Sequence, residues 1–378
     1  ERWIYGSAGR LREHRLASGA TLRYRYDTEG RIVAVEGGPR GDAGYRYDQR
    51  GNLLEFRGPW GRWSFSRDSR GRPTEMRDGL GNRWRFTYGA YGQITEVLQP
   101  DGSSRSFQYD PMGRLTAASD EEGGTFRFDY NARGDLIEMV DRAGAKETFE
   151  YNLRGDLVRR VAPNGDETTF TYDRTHRAVQ VTLPDKRRIE RTYDGEGALL
   201  QVSLDGQPVA RFLRDPAGRA VTREYPLLRA SEELALDQHG RIVERRGPEG
   251  SITELSYYPG GALRSRRDHA GAVNIFRRDA WGRELGQTDP GGGRWRSEYD
   301  RAGRLVRRVT PLGNERRFRY DAMGRVSSWT DEVGGVHRFE RDWRGNPLTY
   351  RTPAGNLWRY EYDPRGLIAR VVSPEGRE

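Results

Sequence analysis

Residues able to carry chemistry are plentiful in this 378-residue chain, but none stands in a pattern that chemistry needs. The five histidines, His14, His176, His239, His269 and His337, share no spacing. They form no His-x-x-x-His or Glu-x-x-His string of the kind a zinc site on one element face uses. Cysteine is absent, which excludes disulfides and thiolate metal sites. Aspartate and glutamate total 56, so carboxylate pairs arise from crowding alone. No pair departs from its surroundings as a general acid and base would. Gly291-Gly292-Gly293 follows Asp289-Pro290 and opens no helical segment, so it lacks the helix N-terminus of a phosphate cradle. The expectation is a chain with no catalytic residue, no metal and no cofactor.

Charge gives the next constraint. The net charge is +9 from 65 basic residues, of which only Lys146 and Lys186 are lysine. One reading is a polyanion-binding surface; the other is arginine stacked on neighbouring aromatic rings. Acidic residues interleave with the arginines throughout, so nucleic acid is not expected as a partner. No stretch approaches the roughly 20 apolar residues of a membrane helix. The chain opens on Glu1 without a signal peptide, and a segment of a longer protein is expected. With 34% hydrophobic and 32% charged residues the composition leans toward disorder, but 11% aromatics and 48 regularly spaced glycines do not.

The glycine spacing exposes a repeat. Tyr109-Asp110-Pro111-Met112-Gly113-Arg114-Leu115 returns as Tyr299-Asp300-Arg301-Ala302-Gly303-Arg304-Leu305. The phrase also starts at Tyr26, Tyr47, Tyr130, Tyr151, Tyr193, Tyr320 and Tyr362. Weaker copies start at Tyr5, Arg67, Tyr88, Tyr172, Arg214, Leu236, Tyr257, Arg278 and Arg341. The 18 copies step by 21 residues, except for 20 before Arg67 and 22 before Leu236, and they fill residues 1–378 as one continuous array. Four residues after each anchor stands glycine, with His176 the single exception. Fourteen residues after it glycine stands in 14 of 18 copies, among them Gly102, Gly144, Gly165, Gly313 and Gly355.

Two glycines ten residues apart mark two turns, each needing a positive φ. The aspartate beside the anchor can accept backbone N–H bonds in the first turn. The turn set is therefore Tyr26, Asp27 and Gly30; Tyr109, Asp110 and Gly113; Tyr299, Asp300 and Gly303; Tyr320, Asp321 and Gly324; and Tyr362, Asp363 and Gly366. Between turns the residues alternate. Trp84, Phe86 and Tyr88 share one face, as do Phe126, Phe128 and Tyr130, and Trp358, Tyr360 and Tyr362. The other segment carries an aliphatic six residues after the anchor, as at Leu53, Ile94, Leu115 and Leu305. The fold class expected is all-β, built of tandem 21-residue hairpins with strands of about five to seven residues. One hairpin is marginal in water, and stacking is expected to pair the open edges and align aromatic with aromatic. His176 is expected to sit in a strained turn. The irregular stretch Leu227–Leu234, where the step is 22, reads as a bulged strand or loop.

The phrase Tyr-Asp-x-x-Gly-Arg-Leu at this spacing resembles the RHS/YD repeat over the whole chain. That family includes bacterial Rhs polymorphic toxins, the C component of insecticidal Tc toxin complexes, wall-associated proteins and teneurins. The resemblance implies hairpins joined into a long spiralling antiparallel sheet, part of a hollow shell or barrel. In bacterial members the shell encloses the protein's own C-terminal toxin until delivery. For this chain it implies a shell segment and not an enzyme, with toxin cargo and a secretion or delivery apparatus as partners. Rhs effectors of contact-dependent or type VI secretion in interbacterial competition fit the strings best. The protein would be made in the bacterial cytoplasm and exported by a dedicated system to a secreted or cell-surface location. The alternative is a cell-surface adhesion module that recognises glycans or a partner protein. Bacterial shells also carry an aspartate self-cleavage motif, Asp-Pro-x-Gly-Leu, and Asp363-Pro364-Arg365-Gly366-Leu367 matches it. The expected upstream partner, Asp342-Trp343-Arg344-Gly345, lacks the proline, and the repeat itself produces Asp-Pro-x-Gly at Asp110 and Asp215. Asp363 is therefore read as an ordinary turn residue.

Overall fold

The fold is given by a computed structural model, which describes every residue except Ser7, Pro39, Arg40, Trp60, Pro364 and Glu378, and Ala220 for its backbone only. Among the described residues thirty-six strands of four to eight residues follow one another, two per repeat. The described residues include no α-helix; the two helical turns are the 3-10 segments Pro226–Leu228 and Pro248–Gly250. The Leu227–Leu234 stretch resolves into two parts. Leu227 and Leu228 lie in the first of these turns, Arg229 takes φ +49°, and Ala230–Leu236 is a regular strand. Among the described residues no helix is long and apolar enough to cross a membrane.

The chain groups into two compact units, where the sequence reads as a single run. One comprises Glu1–Arg105, Tyr257–Ser265 and Val273–Glu378; the other comprises Ser106–Ser256 and Arg266–Ala272. Within each, consecutive strands pair antiparallel with their chain neighbours. The first turns whose pairing is described carry a register shift just before the anchor, as where Tyr109 pairs with Leu115 after Gln108 pairs with Ala117. The second turns are mostly plain, as where Ser119 pairs with Thr125. The extra residue, Thr116 in this repeat, lies on the strand that leaves the positive-φ glycine, and bulges of this kind bend a ribbon.

The alternating sequence gives each ribbon two chemically distinct faces. The anchor side collects Trp, Phe, Tyr and aliphatic residues; the opposite side collects Arg, Glu, Thr and Ser. Within each unit, aromatic residues lie mostly opposite aliphatic ones rather than one another. Phe86 pairs with Val97, Phe126 with Ala118 and Phe128 with Met139. The reason is topological, because aromatics enter on alternate strands and so sit about 9.6 Å apart. Rings meet only where the intervening residue is itself aromatic or the side chains reach across, as in Trp63–Trp84 at 5.7 Å and Phe339–Tyr350 at 5.0 Å.

Among the described residues no large side chain on these faces is fully buried. The accessible area is 23654 Å², against about 15,000 Å² for a compact globule of this mass. Ala20, Val181 and Leu234 are the buried apolar residues among those described. Stability must therefore come from repeated strand-to-strand contacts, as in solenoids.

Inside the first unit, turns far apart in sequence meet along a seam. The second turns of early repeats lie against the first turns of late ones. Gly41 lies against the carbonyl of Arg301, and a Cβ on Gly61 would sit 2.6 Å from the Ala322 oxygen. Trp343 Nε1 donates to Asp101 Oδ2 at 3.3 Å, Arg344 lies 3.6 Å from the same oxygen, and Trp343 packs edge-on against Trp84 at 5.8 Å. Leu16, Ala17, Pro259, Ala280 and Trp281 line a cavity of about 500 Å³ on this seam.

Candidate functional site: the latch between repeats

The turn residues converge on one recurring arrangement, clearest around Asp110. Its Oδ1 accepts the N–H groups of Met112 and Arg114, both at 2.9 Å. Its Oδ2 accepts the Arg114 Nε at 2.6 Å. Gly113 closes the turn at φ +81°, donating to the Asp110 carbonyl at 2.9 Å. The carboxylate thus aims the guanidinium toward the next repeat. Arg114 Nη1 donates to the Asn131 carbonyl at 3.0 Å, and the guanidinium carbon lies 5.0 Å from the Tyr130 ring centre. Tyr130 closes the loop, its hydroxyl donating to the Leu115 carbonyl at 2.9 Å. One repeat's arginine sits beside the next repeat's tyrosine, and that tyrosine reaches back to the first repeat's backbone.

The same closure recurs along the chain. Tyr26 donates to Leu11 at 2.9 Å, Tyr299 to Glu284 at 3.0 Å, Tyr320 to Leu305 at 2.6 Å and Tyr362 to Pro347 at 2.9 Å. Asp27, Asp300 and Asp321 hold the guanidinium of Arg31, Arg304 and Arg325 respectively. Gly30, Gly303, Gly324 and Gly366 all take positive φ. Asp363 differs: Leu367 stands where the arginine would, so Asp363 holds the Leu367 N–H and the Arg365 Nε instead. Pro364, part of the candidate cleavage string, lies outside the described residues. Tyr109 ends its strand opposite Leu115. Trp84, Phe86, Tyr88, Phe126, Phe128, Tyr130, Trp358 and Tyr360 lie within strands, half-buried on the anchor face.

Hydrogen bonding sets the electrostatics. The Arg114 N–H, then the Arg114 side chain, holds the Asp110 carboxyl below its ordinary range against the opposing effect of desolvation. The Arg219 side chain does the same for Asp215. Burial pushes the phenols of Tyr320 and Tyr362 up. Among the described residues no group of three metal-binding side chains comes together.

The sequence signature described as RHS Repeat matches residues 5–43, 67–104, 90–125, 130–166, 151–188, 299–336 and 342–378, more than half of the chain. The chain belongs to the RHS repeat family. Among solved structures, the fold is similar to the TcdB2-TccC3 protein without its hypervariable C-terminal region, at TM-score 0.75 and 14% identity over 98% of this chain and 23% of that one. It is likewise similar to a chain of the Photorhabdus luminescens Tc holotoxin pore, at TM-score 0.73 and 14% identity over 99% of this chain and 25% of that one. This RHS array thus spans about a quarter of those proteins. No curated protein sequence matches it.

Four repeats of the RHS array that look degenerate keep the latch by another route. Where arginine replaces the anchor tyrosine, its guanidinium takes over the tyrosine's bond. Arg67 donates to the Leu53 carbonyl from Nε at 3.0 Å and to the Gly71 carbonyl from Nη1 at 2.8 Å. Arg214 reaches Leu199 and Gly218, Arg278 reaches Leu263 and Gly282, and Arg341 reaches Val326 and Gly345. The equivalence was open to sequence reasoning, since both side chains can donate to a carbonyl from the same position. The seam residues Asp101, Trp343 and Arg344 carried no such signal, because their partners lie some twelve repeats away. His176 takes φ +64° at its glycine position, with its Nδ1 2.5 Å from Asp156 Oδ1. His14 and His337 stack on Trp3 and Trp329, at 3.6 and 3.8 Å between ring centres.

Proposed function

We propose that this RHS array is a wall segment of a shell that encloses a toxic protein domain until delivery, acting by containment and not by catalysis. The observation that carries the reading is a strand ribbon that, among the described residues, fully buries no large side chain, exposes far more surface than a globule, and is held by latches from one repeat to the next. Such a ribbon has little use as a compact domain but suits a partition. The similarity to Tc toxin chains adds to this, since those assemblies carry a hypervariable C-terminal region. Export from a bacterial cell and a toxin cargo belong to the same proposal, as does a type VI or related delivery apparatus.

The test is limited proteolysis of the full-length protein from which the array comes. Cargo enclosed by the wall resists protease as long as the array stays folded, and becomes sensitive when a latch variant opens it. Cargo digested at the rate of the same sequence free in solution would rule containment out.

A further inference from the structure

The polar face is not uniform along the chain. Across the strands from Arg294–Tyr299 to Ile368–Val372 it carries nine arginines and four glutamates. In the other unit, from Leu115–Ser119 to Ile252–Tyr257, the equivalent face carries six basic and nine acidic residues. The contrast is sharpest three residues before each anchor. In the other unit that position holds Glu190, Glu233 and Glu254 beside Arg127 and Arg211, whereas Arg296, Arg317, Arg338 and Arg359 hold it in four successive late repeats.

These four arginines are exposed, one on every second strand. Arg296, Arg338 and Arg359 form no ion pair among the described residues, and Arg317 shares Glu315 with Arg307. On one side each faces a small residue, Gly286 opposite Arg296, Thr330 opposite Arg317, Ser328 opposite Arg338 and Thr349 opposite Arg359, and on the other Val309, Arg307, Arg351 and Val372 respectively. Each guanidinium thus has a small residue on one side, and Arg307 and Arg351 add positive charge beside Arg317 and Arg338. With two strand spacings and the slant of the register between them, successive arginines lie roughly 10–12 Å apart.

We propose that this arginine column binds an acidic polypeptide segment. A guanidinium fork matches a carboxylate in geometry as well as charge. An extended chain rises about 3.3 Å per residue, so an acidic residue at every third or fourth position meets successive arginines. Single-stranded nucleic acid fits less well, because the rings that would stack its bases lie on the opposite face. The inference stands apart from the shell reading, since it concerns binding by the array alone.

The test is fluorescence anisotropy with a labelled peptide bearing glutamate at every third position, beside its glutamine counterpart and an oligothymidylate of equal length. The array binds the glutamate peptide, and the quadruple variant R296Q/R317Q/R338Q/R359Q weakens binding by about tenfold or more. The control variant R127Q/R188Q/R211Q/R246Q, on the polar face of the other unit, leaves it unchanged, with circular dichroism checking that both fold. Three results would overturn the proposal: no binding of the glutamate peptide, equal loss in both variants, or tighter binding of the oligothymidylate.

Discussion

The first and second turns of each repeat share a backbone but hold different things. Gly113 and Gly123 close successive turns at φ +81° and +82°, each donating to the carbonyl three residues back. In the first turn the aspartate goes on to fix an arginine that reaches the next repeat. In the second turn the matching residue is aspartate at Asp78, Asp120, Asp141, Asp268, Asp289 and Asp331, but Gln99, Ala162, Leu183 or Thr310 at others. The chain tolerates this because a plain turn needs only a positive-φ residue. The second row is thus free to vary, and in the first unit it is the row that meets distant turns at Asp101 and Gly41. One row is specified by its neighbour in sequence, the other by its neighbour in space.

The largest expected effect separates the rows by pH. Ten first-turn aspartates, Asp27, Asp48, Asp68, Asp110, Asp173, Asp215, Asp237, Asp300, Asp321 and Asp363, are held below their ordinary range. In the second row Asp101, Asp120, Asp185 and Asp331 are. A carboxyl depressed in the folded state contributes stability above its unfolded value, and that contribution is lost as pH falls through the folded value. Resistance to urea should be level near neutrality and fall steeply below about pH 4. An Asp110→Asn variant should become less stable at neutral pH and show a shallower acid limb. A urea midpoint unchanged down to about pH 2 would remove the latch from the account.

A smaller effect probes what the rows share. A Cβ at Gly113 meets no atom within 4 Å, so Gly113→Val costs backbone strain alone, about 2 kcal/mol for a β-branched residue at positive φ. Hydrogen exchange in the strands Ser104–Tyr109 and Leu115–Ser119 should speed up by roughly 30-fold. Lys186 already occupies the equivalent glycine position of a second turn at φ +69°. Lys186→Gly should therefore slow exchange around it, by about 1 kcal/mol of relieved strain. Should both substitutions move exchange in the same direction, positive φ is not what the glycines supply.

The repeat, the hairpins and the turns were legible in the sequence because each depends on residues within a few positions of one another. Tyr109-Asp110-Pro111-Met112-Gly113 encodes its own bend, and Trp84, Phe86 and Tyr88 encode their own face. The seam was not legible, because Asp101 and Trp343 are ordinary turn residues whose meeting depends on accumulated bend over many strands. Nor was the charge pattern. Arg296 and Arg308 look alike in sequence, but one stands on the polar face and the other lies over Trp295 at 4.9 Å. The rings share a face, but alternate strands carry them, so aliphatic residues mostly stand between.

The smallest expected effect tests whether the first row is uniform where its letters differ. Tyr130→Phe removes the bond to the Leu115 carbonyl and leaves the ring beside Arg114. The loss should be about 1 kcal/mol, the net worth of one such bond. Arg67→Tyr makes the opposite exchange, replacing two bonds from the guanidinium to the Leu53 carbonyl with one from a hydroxyl. It also forfeits the Arg67 bond to the Gly71 carbonyl, which then turns to water at an exposed turn. Five residues after the preceding anchor, where Arg10 and Arg31 stand over Tyr26 and Tyr47, this repeat has Asn52, so the new ring gains no stacked arginine. The bond to the Leu53 carbonyl is kept and the lost one is taken up by water, so urea denaturation should move by less than about 1 kcal/mol. A cost above about 2 kcal/mol would show that arginine anchors hold something tyrosine cannot, and that the four arginine-anchored repeats form a class of their own.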